Sequence, residues 1–430
     1  MLGINKKLQQ LDEKGEKIKV ALVGSGLMGK GMVSQMMLMK GIRPSLVIDR
    51  HPERAIEAYT LAGVNREDIL VSNSLEDINS AIEEDKFVVC EYSDIAPKTN
   101  LIQVVVDATG VPDTGARLAL NSILNKKHIV MLNVEADVVV GPILNKLAQN
   151  AGVIFTGTAG DEPGSVKEIY DFADGAGFDV LAIGKGKNNP IDLEATPDKL
   201  FDEATSKGLS PKMLTSFVDG TKTMVEMTCM ANATGFVPDI RGGHGCKGTV
   251  KELPQIFRLK EDGGILNKYK VVDYVNGVAP GIFVIVTSSL PQVHHEMKFL
   301  SMGEGPNYVL YRPYHLTSLE TPLTIARAVI YGEPTIAPLG KPVAETITVA
   351  KKDLKAGERL DYIGGYTVYG SIETYEVAKN ENLVPIGLIN ENTVMKKDVK
   401  KGEFITYDMI ELDTSTLIYK LRKLQEEIIG

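Results

Sequence analysis

The sequence predicts an α/β protein: an N-terminal doubly wound parallel sheet, a central α+β domain, and a small C-terminal β module. Three observations predict it. Short apolar runs such as Ile18–Val23, Val104–Val106 and His128–Leu132 alternate with helical stretches, which is the texture of a parallel sheet covered on both faces. The first run ends in Gly24-Ser25-Gly26-Leu27-Met28-Gly29, a spacing suited to a strand-to-helix turn. From about Ala337 the chain changes to short β-like runs carrying an internal repeat. The boundaries expected from these shifts are 1–160, 161–340 and 341–430.

Composition narrows the partners. A chain of 430 residues can hold two or three cores, and its net charge of −9 argues against nucleic acid or an anionic membrane as the main partner. The cysteines, Cys90, Cys229 and Cys246, are scattered and odd in number, which suits a reducing cytosol. Met1–Lys17 is polar, with Leu8 and Leu11 on one face of a helical arm and no apolar stretch of a secretory signal. No run approaches the roughly 18 apolar residues of a membrane helix. A cytoplasmic protein is expected.

In the N-terminal part, Ile18–Val23 reads as a buried strand. The first glycine of the turn allows a tight reversal, the second lets backbone approach a pyrophosphate, and the third lets the next helix pack closely. That helix, Met28–Lys40, aims free N–H groups and its dipole at the phosphates. Strand Ser45–Ile48 then delivers Asp49 to the ribose hydroxyls of a dinucleotide. This is a Rossmann unit, and NAD(P) is the expected cofactor; Arg50, His51 and Arg54 leave the choice between NAD and NADP open. Helices at Pro52–Ala62 and within Ser72–Asp85 precede a strand at Phe87–Cys90. The next strand ends in Asp107-Ala108-Thr109-Gly110, so Thr109 and Gly110 are expected at the cofactor. After helix Pro112–Asn125 and strand His128–Leu132 come Asn133 and Glu135, placed for the nicotinamide or substrate, and Asp137, expected to cap a helix over Val138–Ala151.

In the central part, strand Val153–Thr156 ends in the small-residue turn Gly157–Gly164, where Asp161 and Glu162 form a carboxylate pair. The pair suits proton transfer, a divalent cation (magnesium or manganese), or simply the start of helix Ser165–Asp174. Strand Val180–Ile183 runs into a turn, Gly184–Pro190, whose Lys185 and Lys187 can stabilise a developing oxyanion. Leu214–Thr234 reads as one long helix with Lys222 and Glu226 on one face and Met224, Met227 and Met230 as core. The glycine-rich loop Ile240–Gly248 is expected to order around something anionic, with His244 as an acid or base, Lys247 beside it, and Cys246 a weaker candidate. Beyond strand Gly281–Thr287, Arg312 and His315 are candidates for binding substrate or another subunit, and Glu320 for a helix-start acid.

In the last part, Lys351–Glu358 is echoed by Lys396–Glu403, which predicts a β module folded about a pseudo-twofold with its lysines in solvated turns. Thr414–Ile429 is an amphipathic helix suited to packing or dimerisation.

These segments carry a resemblance. Ile18–Lys187, with its glycine turn, the Asp107–Gly110 strand end and the lysine turn, resembles the homoserine-dehydrogenase-like oxidoreductases. Asn133–Asp137, Gly160–Gly164, Gly184–Asn188 and Tyr311–His315 look more specifically like the deoxyxylulose-phosphate-reductoisomerase-like (DRL) group, and residues 346–412 look like a SAF domain, a β-clip module. The resemblance implies a homodimeric or larger NAD(P)-dependent oxidoreductase acting on a small, phosphorylated, sugar-like substrate with a divalent cation assisting. For the DRL group it implies reductive isomerisation of 1-deoxy-D-xylulose 5-phosphate to methylerythritol phosphate, toward isoprenoids. Homoserine dehydrogenases place a lysine directly after the asparagine at the position of Asn133, where Val134 stands here, so homoserine is not the expected substrate. The expected chemistry is hydride transfer to a carbonyl, with Lys185 or Lys187 at the oxyanion, His244 and Lys247 at the anionic end, and Glu135, Asp161 and Glu162 moving protons or holding the cation. Two alternatives are a reductase of another small aldehyde or keto acid and a non-catalytic sensor of nicotinamide redox state.

Overall fold

Seven short apolar runs form one all-parallel sheet in the computed structural model, which describes residues 3–430. The strands are β1 Ile18–Val23, β2 Ile42–Ile48, β3 Ile69–Val71, β4 Phe87–Cys90, β5 Val104–Asp107, β6 His128–Met131 and β7 Phe155–Gly157. Their order is β3-β4-β2-β1-β5-β6-β7, so β2 to β4 lie on one side of β1 and β5 to β7 on the other. The gap between the carboxyl ends of β1 and β5 is therefore the place where such a sheet accepts a ligand. Val20, Leu22, Val104 and Val106 are buried against Met32 and Met36 of the helix Leu27–Leu38, which is why these strands read as continuous apolar runs. β2 begins at Ile42, ahead of the expected Ser45, because a proline and a bulge interrupt its pattern: Val20 pairs with Pro44 and Ala21 with Leu46, skipping Ser45.

The described structure divides into two compact units, each discontinuous in sequence. The first comprises residues up to Asp161 together with Leu316–Ala337 and Thr416–Gly430; the second comprises Glu162–His315 and Pro338–Ser415. Helix Thr317–Tyr331 belongs to the sheet's own unit, and the last helix, Leu417–Ile428, packs there against helix Val134–Ala151. The packing has a specific chemistry. Pro142 interrupts the hydrogen bonding of helix Val134–Ala151, and Gln425 meets the groups around it, accepting from Ile143 N (3.1 Å) and donating to Val139 O (3.2 Å).

The second unit is built on a mixed sheet of β8 Asp179–Lys187, β9 Val237–Pro238, β10 Cys246–Lys247, β11 Val271–Asn276, β12 Ile282–Thr287 and β13 Tyr308–Arg312. β8 runs parallel to β11 and antiparallel to β12. Helices Glu162–Gly175 and Thr221–Thr234 cover one face through Val166, Met224 and Met227, while Leu253, Phe257 and Phe283 fill the other. Two expectations are corrected. Lys185 and Lys187 lie within β8 and not in a turn after it. The long helix is two, Pro211–Val218 and Thr221–Thr234, broken where Gly220 takes φ 86° and Asp219 turns inward to Lys351 Nζ at 2.7 Å.

Residues 338–415 contain two antiparallel pairs, β14 Ala344–Ala350 with β15 Val368–Thr374, and β16 Val394–Met395 with β17 Ile410–Glu411. This stretch joins the second unit instead of standing apart as a third domain: Asn232 accepts from Val343 N and Ala344 N, and Thr228 meets Thr346 at 2.8 Å. The repeat closes on itself reciprocally. Lys355 and Ala356 N bind Asp398, Lys400 and Lys401 N bind Asp353, and Leu354 exchanges both backbone bonds with Val399. No helix among the described residues is long and apolar enough to cross a membrane.

Candidate active site

In the first unit, each glycine of the turn has its own steric reason. Gly24 has φ 99° and a Cβ there would stand 2.7 Å from Ala108 O; a Cβ on Gly29 would run into Gly24 O; Gly26 faces open space. The turn is tied to the end of β2 by Asp49, whose Oδ2 accepts from Ser25 N and Ser25 Oγ, both at 2.9 Å, while Oδ1 accepts from His51 N at 3.0 Å. Burial alone would raise the Asp49 pKa, but these bonds and the charge of Arg54 outweigh it and hold the carboxyl below its ordinary range. Leu27, Gly110 and Arg50 are exposed, with Met28 and Thr109 half-buried.

Asp107, at the end of β5, organises the neighbouring residues. It is fully buried and accepts from Thr109 N (2.9 Å), Thr109 Oγ1 (2.7 Å) and Asn133 Nδ2 (3.0 Å). Burial raises its pKa despite those bonds, with the charge of Glu135 adding to the rise. Asn133 is buried too; it also donates to Val111 O and accepts from Ala136 N. Its amide therefore braces Asp107 and caps helix Val134–Ala151, which corrects the assignment of the cap to Asp137. Glu135 stands half-buried in that helix's first turn. Asp107 was missed, although a carboxylate followed two residues later by threonine is a local turn signal.

The chain enters the second unit at Glu162 and first leaves it after His315, and these two side chains meet at 3.5 Å. Lys185 Nζ donates to Glu162 Oε1 (2.7 Å) and to Glu226 Oε2, so β8 and two helices converge on one ammonium. All three groups are mostly buried. Burial alone would discharge Lys185, but the charges and hydrogen bonds of Glu162 and then Glu226 raise its pKa and keep it an ammonium. Glu226 moves up as well, through burial first and the Glu162 charge second, against the pull of Lys185 and Lys222. Two residues along β8, and so on the same face, Lys187 behaves oppositely: burial and the adjacent Lys185 charge push it down to about 8. Its Nζ donates to Phe217 O at 2.8 Å. The strand end thus presents one locked cation and one amine that titrates near neutrality, the separation of acidities that proton-transfer chemistry needs.

The spacing of Glu226 from Lys222 left open whether the two form a surface pair or are active-site groups. Its sequence signal is an acid inside Met224-Val225-Glu226-Met227, an otherwise apolar stretch. Arg312 ties the end of β13 to helix Glu162–Gly175 through Ser165 Oγ and Glu168 (both 3.3 Å) and stacks 4.5 Å over Tyr314. Asp161 is buried as the last residue before the first unit gives way to the second, and Glu320 accepts from Leu316 N at 2.9 Å, bracing the start of helix Thr317–Tyr331. The carboxylates expected to hold a cation, Asp161 and Glu162, belong with Glu226 to a set whose geometry could take a metal ion, and Glu162 also binds the Lys185 ammonium and faces His315.

The glycine-rich loop is ordered by an anion of the protein's own. Asp273, almost fully buried, accepts from His244 N (3.0 Å) and Gly245 N (3.1 Å). His244 Nε2 pairs with Asp239 at 2.8 Å, and Lys247 is exposed on β10. Cys246 is pushed up to about 12 by burial and the Asp273 charge, which makes it an inert thiol at neutral pH.

Residues 160–321 match the family model described as oxidoreductase DRL, catalytic domain. No curated protein matches the chain. Among solved structures, a probable dehydrogenase from Thermotoga maritima is similar with 15% identity and a TM-score of 0.42, covering 75% of this chain and 90% of that one. A myo-inositol dehydrogenase from Corynebacterium glutamicum shows 11% identity and a TM-score of 0.41, covering 74% and 89%. A scyllo-inositol dehydrogenase from Lactobacillus casei, solved with NAD(H) and scyllo-inositol, shows 14% identity and a TM-score of 0.38, covering 69% and 76%. Residues 160–321 thus match an oxidoreductase catalytic domain, and a doubly wound parallel sheet precedes them.

Proposed function

We propose that this enzyme reduces the carbonyl of a small polar substrate, or oxidises the corresponding alcohol, with the first unit holding the coenzyme and the lysine pair of the second handling the proton. The observation that carries this reading is the opposed acidity of two lysines on one strand face: Lys185 held charged, Lys187 lowered to about 8. The nicotinamide, when bound, supplies or takes the hydride. Gly24, Gly26 and Gly29 leave room for its pyrophosphate, and Asp49 offers an acceptor for ribose. Lys187 as an ammonium gives its proton to the oxygen of the carbonyl being reduced; as an amine it takes the proton of the alcohol in reverse. Lys185 holds a fixed positive charge beside that exchange, set in place by Glu162 and Glu226.

A more specific second reading is reductive isomerisation of 1-deoxy-D-xylulose 5-phosphate, which the resemblance of the sequence to the DRL group implies. Following oxidation of NADH and NADPH against a panel of ketoses, aldehydes and their phosphates tests both. Turnover confined to the deoxyxylulose phosphate selects the second reading. Tight coenzyme binding without turnover of any carbonyl or alcohol would overturn both and favour a redox sensor. The SAF-like reading of residues 346–412 is supported by the reciprocal repeat.

A further inference from the structure

We propose that Lys351, which lies beyond the matched catalytic domain, is a positioning residue for the lysine site: it fixes Asp219, and Asp219 keeps one backbone carbonyl free to orient Lys187. The inference rests on the reading of Lys187 as the proton-handling group and deepens it, because that reading does not say what aims the amine. Lys351 directly follows β14 and is buried, with 2% of its side chain exposed. Its Nζ donates to Asp219 Oδ2 at 2.7 Å, Gly365 O at 2.9 Å and Ala195 O at 3.0 Å. An ammonium has three protons to give and no acceptor, so this one has none left for a substrate. Its influence on the chemistry passes through Asp219.

The other oxygen of that carboxylate acts on the backbone. Asp219 Oδ1 accepts from Thr221 N at 2.9 Å. In an unbroken helix the Thr221 N–H would donate four residues back, to Phe217 O. Here the helix is broken at Gly220 and the N–H is turned to Asp219, so Phe217 O is left among the terminal carbonyls that need an outside donor. Lys187 Nζ supplies it at 2.8 Å. The start of the second helix is held from the same C-terminal stretch, where Gly370 N donates to Thr221 Oγ1 at 2.9 Å. The charges that face Lys187 are Lys185, Glu226, Asp219 and Glu162, of both signs and on several elements. Phe217 O adds a direct bond, which fixes where the amine points and favours its ammonium form.

The test compares three variants of the full chain: Lys351→Met, Lys351→Met with Asp219→Asn, and Lys351→Met with Asp219→Leu. The two double variants bury no unpaired charge, so they fold even where the single one does not, and they differ in whether Thr221 N keeps an acceptor. Steady-state kinetics on the carbonyl that the wild type turns over is paired with an NMR titration of the Lys187 amine, assigned by its loss in Lys187→Met. Lys351→Met should lower kcat about tenfold with coenzyme affinity unchanged, and adding Asp219→Asn should restore most of it. Adding Asp219→Leu instead should leave kcat low and weaken the proton affinity of Lys187 about tenfold relative to the Asn variant, because Phe217 O is returned to Thr221 N. A merely structural pair would change both double variants alike. Equal rates and equal Lys187 titrations in the two overturn the inference and leave Lys187 as the proton donor. A wild-type rate and titration in Lys351→Met overturn the part given to Lys351. A Lys187 titration that falls in the Leu variant while its rate matches the Asn variant overturns the proton-donor reading, and the inference with it.

Discussion

The two halves of the chemistry are assembled in opposite ways. The glycine turn draws its side-chain links from one continuous segment, Ile18 to Arg54, the longest joining Ser25 to Asp49, 24 residues apart, with Ala108 closing over Gly24. The lysine site gathers Glu162, Lys185, Glu226 and His315 from three helical or strand elements and the loop after β13. The first is held by backbone shape and hydrogen bonds, with open space left at Gly26. The second is held by buried charges that fix one another's protonation. A local turn tolerates loss of a side chain better than loss of its glycines, whereas a buried charge cluster fails as a unit when one member is removed.

The largest effect should come from breaking the charge cluster. Lys185→Met leaves Glu162 and Glu226 facing each other without a cation, so turnover should fall at least about a thousandfold, with a stability loss of about 3–5 kcal/mol. Steady-state kinetics and urea unfolding check this; adding Glu226→Gln in the same chain should recover much of the stability and little of the activity. If Lys185→Met alone unfolds as the wild type does, the cluster is not the interdependent unit described.

Lys187→Met comes next and separates proton transfer from folding. Its kcat should drop about 100-fold or more while coenzyme affinity stays unchanged. The pH dependence has a definite sign. Lys187 is an ammonium below about 8, so reduction should hold there and decline as pH rises through that value, while alcohol oxidation should climb over the same range. A reduction rate that rises through pH 8 would sink the assignment of Lys187 as the proton donor.

On the other side of the comparison, Gly29→Ala forces a Cβ onto Gly24 O and should push helix Leu27–Leu38 off β1. Coenzyme affinity should fall about tenfold or more with a stability loss of about 1–3 kcal/mol, while the acidity of Lys187 should not move. NMR titration of the lysine amines provides that second reading. The smallest effect belongs to Gln425→Leu, which removes the acceptor of Ile143 N and leaves Val139 O to Arg422. A loss of about 1–3 kcal/mol with unchanged kcat is expected, and an altered kcat would mean that helix Val134–Ala151 transmits to the site.

The sequence by itself determined the doubly wound sheet, the glycine turn, Asp49 at the end of β2 and the self-pairing repeat. Each rests on periodicity or on contacts between near neighbours, so residue order carries the physics directly. It also singled out Lys185, Lys187, Glu162 and His315, but not their roles. Only the tertiary structure decided that Lys185 is clamped and Lys187 loosened, that Asn133 braces Asp107, and that the loop holding His244 closes on Asp273. Those outcomes depend on which charges and donors are brought within a few ångströms by distant strands and helices, and on how much water is excluded there. A linear pattern fixes neither the pairing nor the burial, and together these set the acidity of a group.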